Sequence, residues 1–257
     1  MYGHLATLCV LLPEVEQALP IEVIDHDSAL WVLNKPAGLL SAPGRGPDKQ
    51  DSLMSRMQAH DPAALQVHRL DQATSGLMLM ARTAEAQRRL QAAFALRRTQ
   101  KIYIAVVQGL PPEQPEWQWI DAPIALNWPD RPRHHVGDGG KPSQTWWRVL
   151  AQNTALGRSL LALRPVTGRS HQLRVHLAWK GWPILGDALY APPAIAQTGS
   201  RLALHAWRLD IEHPISGDNR LWECPCPAGL GSEFCQQTVA QGLQNALTTP
   251  QTGDFYA

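Results

Sequence analysis

The residues with the most chemical promise are His68-Arg69-Leu70-Asp71, followed closely by Thr74-Ser75-Gly76. An acid two residues after an arginine, then a hydroxyl-and-glycine turn, reads as the end of one element running into a tight loop. On such a loop a carboxylate can be partly desolvated and still reachable, as a catalytic acid or nucleophile must be. Taken alone, the segment also has a plainer reading, in which Asp71 caps a turn and Arg69 is a surface charge. Only one acid lies in so ordered a setting, which counts against a glycosidase built on paired carboxylates. The cysteines are Cys9, Cys224, Cys226 and Cys235. They have no matching histidine cluster or second close pair, so no metal site is expected and the thiols read as free in a reducing cytoplasm.

The elements that must position these residues follow from periodicity. Residues 21–24 and 30–33 are short apolar runs separated by Asp25-His26-Asp27, the pattern of a hairpin. Lys35-Pro36-Ala37-Gly38 forces a turn. Residues 51–60 predict a short helix with Leu53, Met54 and Met57 on one face. Residues 77–81 predict a strand, and Thr83 an N-cap for a helix running to about Arg98. Residues 101–109 alternate like a strand, with Ile102, Ile104 and Val106 on one face. Residues 111–142 look like irregular loops crossed by one or two short strands. Strands are expected at 145–150, 158–164 and 201–212. Thr167-Gly168 leads into a helix over 170–180 closed by Gly181. Many strands with few helices between them predict an α+β class on a mostly antiparallel sheet. Beyond Cys226 the signal weakens, and 236–257 reads as a loosely attached tail.

The chain has 257 residues, of which 44% are hydrophobic, enough for a real core. No apolar run reaches the roughly 18 residues of a membrane span, so no membrane partner is expected. The start lacks the basic flank and small-residue cleavage site of a signal peptide. Net charge is only +1, but residues 66–180 carry 16 Lys and Arg against 7 Asp and Glu. A basic middle between acidic ends suits a polyanion bound on one face. The plainer reading is that arginines such as Arg88, Arg89, Arg97 and Arg98 decorate solvated helices.

At this point the residues resemble a known family. His68-Arg69-Leu70-Asp71-Gln72-Ala73-Thr74-Ser75-Gly76 matches the H-R-L-D-x-x-T-S-G signature of the RluA-type pseudouridine synthases. Asn34-Lys35-Pro36-Ala37-Gly38-Leu39 is similar to that family's N-K-P-x-G-L motif, and Lys101-Ile102-Tyr103 to its K-x-Y segment. Thr167-Gly168-Arg169-Ser170-His171-Gln172-Leu173-Arg174-Val175-His176 resembles T-G-R-x-H-Q-L-R-x-H. Pro183-Ile184-Leu185-Gly186-Asp187 with Tyr190 resembles P-I-x-G-D-x-x-Y. The motifs stand in the family's order over roughly residues 20–225. Asn127-Trp128-Pro129-Asp130-Arg131-Pro132 and Gly140-Lys141-Pro142-Ser143-Gln144-Thr145 look like segments of the dual-specificity branch of the family, which acts on rRNA and tRNA. That branch has no N-terminal S4 RNA-binding domain, and Asn34 comes too early here for one to be expected. The departures are the tail past about Pro227 and the tryptophan-rich stretch from Trp117, including Trp146-Trp147.

The resemblance implies a pseudouridine synthase fold of the α+β class: a mostly antiparallel mixed sheet, flanking helices and a central active-site cleft. It implies a catalytic domain over 20–227, with an N-terminal extension at 1–19 and a C-terminal tail at 228–257. The implied activity is isomerisation of uridine to pseudouridine in an RNA stem-loop, in 23S rRNA, a tRNA anticodon stem-loop or both. The C1′–N1 bond breaks, the uracil rotates, and C5 joins C1′. No cofactor is implied, because no net redox change occurs. Asp71 is the implied essential carboxylate. It could attack C1′, take a sugar proton to give a glycal, or attack the base, and each route begins with an ionised acid. Family members place the arginine of H-Q-L-R, here Arg174, against that acid, where a cation favours the charged form. His171 and Arg174, three apart on the expected helix, would share a face. Tyr103 is the tyrosine that stacks on the base and can serve in proton transfer; outside the motif it would read as a core aromatic. Arg69 is expected to handle the flipped nucleotide, since guanidinium both stacks and pairs with phosphate. Lys35 is expected to shape the pocket floor and meet RNA phosphate, and Arg169 and His171 to contact RNA. His68 is expected to pack or hydrogen-bond structurally. The protein is expected to be a cytoplasmic monomer. A non-catalytic RNA-binding protein on the same fold is the alternative.

Overall fold

The computed structural model describes residues 21–234, 241–244 and 246–247. In chain order the first elements are β1 (Glu22–His26), β2 (Leu30–Lys35), α1 (Leu53–His60), β3 (Leu65–Gln66), β4 (Ser75–Ala81), α2 (Ala84–Ala95) and β5 (Gln100–Gln108). There follow β6 (Gln118–Asp121), β7 (Ile124–Leu126), β8 (His134–Val136), β9 (Gln144–Asn153), β10 (Arg158–Pro165), α3 (Gln172–Trp179), α4 (Pro193–Ala196), β11 (Leu204–Glu212) and β12 (Asn219–Glu223). Strands dominate and both parallel and antiparallel pairs occur, so the class is α+β. The chain divides into two compact units that interleave in sequence. One comprises Met1–Tyr103 with Leu204–Cys226, the other Ile104–Ala203 with Pro227–Ala257. The expected extension at 1–19 lies outside the described residues.

In the first unit, β2 lies antiparallel between β1 and β4, and β4 runs parallel to β11 through His205↔Ser75 and Ala206↔Gly76. Strand periodicity sends alternate side chains to opposite faces. Leu30, Val32, Leu77, Leu79 and Ala81 pack with Ala86 and Leu90 of α2. Trp31, Leu33, Met78 and Met80 pack with Leu53 and Met57 of α1. With a helix on each face, β4 is buried at every position, which is why it reads as a continuous apolar run rather than an alternating one. The β1–β2 turn forms because Asp27 Oδ1 accepts from the amides of Ala29 (2.7 Å) and Leu30 (3.0 Å). α1 starts at Leu53, capped by a reciprocal Ser52–Ser55 pair. Thr83 caps α2 as expected, but the helix ends at Ala95. Arg97 adopts φ 58, and Arg97 and Arg98 return their amides to Phe94 and Ala93, a left-handed closure that stops the helix short of Arg98.

In the second unit, β9 pairs antiparallel with β10 and β6, and β7 pairs with β8. The 111–142 region therefore holds three strands, one more than its irregular sequence implied. Ile104–Val107 of β5 are buried on both faces, so the alternation read there does not mark a half-exposed strand. Most of the tail expected at 236–257 lies outside the described residues. Phe234 is buried, Asn153 donates to Glu233 O (3.1 Å), and Trp117 Nε1 donates to Ala246 O (3.4 Å). Glu233, Phe234 and Ala246 thus pack onto this unit.

Candidate active site

Asp71 sits half-buried on the loop between β3 and β4, and the polar groups of the 35–41 turn hold that loop. Ser41 Oγ both donates to Leu70 O (2.7 Å) and accepts from Leu70 N–H (3.0 Å), bracketing the residue before the acid. Gly38 N–H donates to Gln72 O (2.8 Å), and Gln72 Nε2 returns a bond to Gly38 O (3.0 Å). Lys35 is 0% exposed, with Nζ donating to Pro36 O (2.8 Å), Leu39 O (2.7 Å) and Gln72 O (3.1 Å). The expected meeting of Lys35 with RNA phosphate is corrected on this point. A buried ammonium must be fully hydrogen-bonded, and this one spends its protons tying the turn to the acid's loop. Downstream, Ser75 Oγ meets His205 Nδ1 (2.8 Å), whose Nε2 donates to Cys224 O (3.2 Å). Gly76 has φ 111, and a Cβ there would lie 2.3 Å from Ala206 O, so only glycine lets β11 approach.

His68 has the structural role expected of it. Its Nε2 accepts the Leu79 amide (2.9 Å), and its ring stacks on Phe94 at 4.4 Å. Burial, with the Lys101 charge beside it, pulls its pKa down to about 3, so the ring is neutral. Burial likewise pulls Lys101 to about 8. Burial first, and the Asp71 charge second, push the Tyr103 hydroxyl above its ordinary range. Tyr103 is therefore a neutral phenol that feels the Asp71 carboxylate, able to donate a proton or hydrogen bond but not to start as a phenolate. Arg69 is exposed, and among the described residues its side chain makes no hydrogen bond or ion pair.

The second unit carries Arg169, His171 and Arg174. Gln172 organises the approach to α3. Its Oε1 accepts from Thr167 Oγ1 (2.7 Å) and Arg169 N–H (3.1 Å), and its Nε2 donates to Gln144 O (2.8 Å) and Thr145 Oγ1 (3.0 Å). His171 is not helical, having φ 57 at the N-cap, so it does not share a helix face with Arg174 as its spacing implied. Its Nδ1 meets Tyr190 Oη at 2.6 Å, and its ring stands edge-on to His134. Arg174 and Asp187 form a bidentate pair at 2.8 and 2.6 Å, with side chains 5% and 1% exposed. Asp187 Oδ1 also accepts the amides of Leu189 and Tyr190. Arg174 thus keeps a fixed charge in a buried setting, with its guanidinium 5.0 Å over the Tyr190 ring. Arg169 is half-buried and donates through Nε to Pro142 O (3.2 Å). His176, buried and held by Thr145 Oγ1 and Ala122 O, is structural.

A family model described as RNA pseudouridylate synthase matches residues 29–179, which contain Asp71, Tyr103 and Arg174. The chain belongs to the RNA pseudouridylate synthase family. It is 44% identical over 79% of its length to the dual-specificity RNA pseudouridine synthase RluA of Escherichia coli strain K12, covering 92% of that protein. It is equally similar to the enzyme of the same name from Yersinia pestis, over 79% of this chain and 97% of that one. Among solved structures it matches human RNA pseudouridylate synthase domain containing 1, with a TM-score of 0.74, 25% identity and coverage of 93% and 99%. The pseudouridine synthase fold expected from the motifs is therefore the fold of this chain, and the protein is an RNA-modifying isomerase. No described helix is long and apolar enough to cross a membrane.

For a pseudouridine synthase, the informative residues beyond the expected set are Asp187, Tyr190, Gln172 and Ser41. The first three lie inside the quoted motifs, and an acid closing the apolar Pro183-Ile184-Leu185-Gly186 run was a readable sign of a buried counter-charge. Ser41 carries no such sign.

Proposed function

We propose that this pseudouridine synthase acts on a uridine in a structured RNA loop, in a 23S rRNA hairpin, a tRNA anticodon stem-loop or both, as a cytoplasmic monomer. Such loops suit the chemistry because the target base is poorly stacked and cheaper to extrude. The name that the bacterial relatives carry, dual-specificity, supports two substrates rather than one. The observation carrying the catalytic assignment is the acid-bearing loop. Asp71 follows a residue bracketed on both backbone groups and lies within electrostatic reach of a Tyr103 held as a phenol.

Asp71 is the essential carboxylate, whichever of C1′, the sugar proton or the base it meets first. Tyr103 supports the base and handles a proton. Arg174 supplies the positive charge that an ionised acid requires. Arg69, whose guanidinium makes no hydrogen bond or ion pair among the described residues, holds the extruded nucleotide or its phosphate. Arg169 and His171 contact RNA from the loop before α3. Across the reaction the C1′–N1 bond is replaced by C1′–C5, N1 gains a hydrogen and C5 loses one, so the product is an isomer.

The loss of hydrogen from C5 gives the test. Asp71→Asn keeps the side chain's shape and removes its charge, and we expect it to abolish tritium release from RNA labelled at uridine C5. Wild-type release rates from that variant would remove Asp71 from the mechanism. Mapping pseudouridine in total RNA from a strain lacking the gene, beside its parent, names the substrates by the missing marks.

A further inference from the structure

Most of the tryptophan-rich region is packing. Trp119 lies on Trp146 at 4.3 Å where β6 pairs with β9, and buried Trp147 meets Trp182 at 4.8 Å. Trp128 differs. It is 66% exposed on a short turn between β7 and β8, with the Arg131 guanidinium 4.7 Å over its ring. Its loop is braced. Asn127 N–H donates to Arg133 O (2.9 Å), and Arg133 donates to Asp130 (2.7 Å) and Leu189 O (2.8 Å). His134 N–H donates to Tyr190 Oη (3.0 Å), the hydroxyl that also meets His171. The exposed ring is thus tied through short polar links to the His171 and Asp187–Tyr190 segments.

We propose that Trp128 and Arg131 form a stacking subsite for an unpaired nucleotide of the substrate RNA, other than the uridine that is isomerised. The proposal rests on the reading of RNA loops as substrate. An indole face in water is a sequence-tolerant platform for a base, and Arg adds both stacking and phosphate pairing. The local charge fits a polyanion. Arg131 and Lys141 are exposed, Arg169 is half-buried against Pro142, and the Asp130 charge is paired with Arg133, against the exposed Asp138. A rigid mount matters because a pre-ordered platform does not lose freedom when the base arrives.

The experiment measures binding of a fluorescein-labelled anticodon stem-loop RNA, and of the same loop sequence as a linear strand, by anisotropy. Trp128→Ala is expected to weaken binding of both about tenfold, and Trp128→Phe by less than about threefold. Arg131→Ala is expected to weaken binding and to lower the slope of log affinity against log salt by about one. Trp179→Ala is the control. Trp179 is also exposed beside a cation, Lys180, but stands at the far end of α3, and its removal is expected to leave affinity unchanged. Wild-type affinity in Trp128→Ala, or a loss no larger than that of Trp179→Ala, overturns the subsite. Absence of pseudouridine in any loop treated with the wild-type protein overturns the substrate reading instead, so the two failures are distinct.

Discussion

Ser41→Ala separates the geometry of the Asp71 loop from the chemistry proposed for it. The Ser41 hydroxyl is 5% exposed and serves both backbone groups of Leu70, the residue before Asp71. Removing it leaves a buried N–H and a buried C=O unpaired. At about 1–3 kcal/mol for each unsatisfied group, with some relaxation of the loop, the loss is about 2–4 kcal/mol. For a chain of this size that lowers Tm by roughly 5–15 °C. The same release lets the acid drift, and a displacement of about 1 Å is enough to reduce turnover about a hundredfold. Ser41 is remote from solvent, so RNA affinity is expected to stay within about threefold of wild type. The assay is single-turnover tritium release at saturating enzyme, well below the variant's Tm, beside RNA binding and thermal unfolding. Ser41→Thr, which retains the hydroxyl, is expected to recover most of the rate. Wild-type turnover in folded Ser41→Ala would refute the idea that this bracket positions Asp71.

Burial first, and the Lys101 charge second, pull the His68 ring from its ordinary 6.5 to about 3 in the folded protein, so its contribution is complete above about pH 6.5 and is lost as pH falls toward 3. Urea midpoints of wild type are expected to fall over that window, at up to about 1.4 kcal/mol per pH unit, more steeply than those of His68→Leu; parallel curves would contradict this. Asp187→Asn removes the carboxylate charge from a buried bidentate pair with Arg174 and is expected to cost about 3–5 kcal/mol in chemical denaturation, whereas a change under about 1 kcal/mol would show the pair to be dispensable. Gly76→Ala puts a Cβ 2.3 Å from Ala206 O at φ 111 and is expected to destabilise by on the order of 3 kcal/mol or more, read as loss of folded protein at 37 °C.

What the sequence revealed depended on whether partners were close along the chain. The hairpin over β1 and β2, the Thr83 cap and the strand after the Asp71 loop follow from local pattern and were legible. Asp71, Tyr103, Arg69, Arg169, His171 and Arg174 could be singled out only because they sit inside motifs. The role of Lys35 was not. Beside Pro36 and Gly38 a lysine reads as a solvated turn charge, and only folding brings Leu39 O and Gln72 O to its ammonium. Ser41 reaches Leu70 across 29 residues, with no spacing rule to announce it. The division into two units was equally hidden. One boundary falls within β5 and another at the first residue of β11, not at a Gly- or Ser-rich linker.

A loop that carries a catalytic acid leaves the regular sheet, and its backbone groups still need partners when buried. Here side chains supply them. Lys35, Ser41 and His68 serve the backbone of the acid's loop or its flanking strand, and Gln172 and Asp187 do the same around α3. Loss of activity at any of these positions therefore carries no implication of RNA contact, since stability and geometry would change first. The reverse inference is stronger. A side chain that stands in water and gives none of its donors to the protein gains nothing for the fold from its charge. Among the described motif residues Arg69 meets that condition, two residues before Asp71. Its replacement should lower RNA-dependent turnover while leaving the unfolding curve where it was, and this separates an RNA-handling residue from the supports around it.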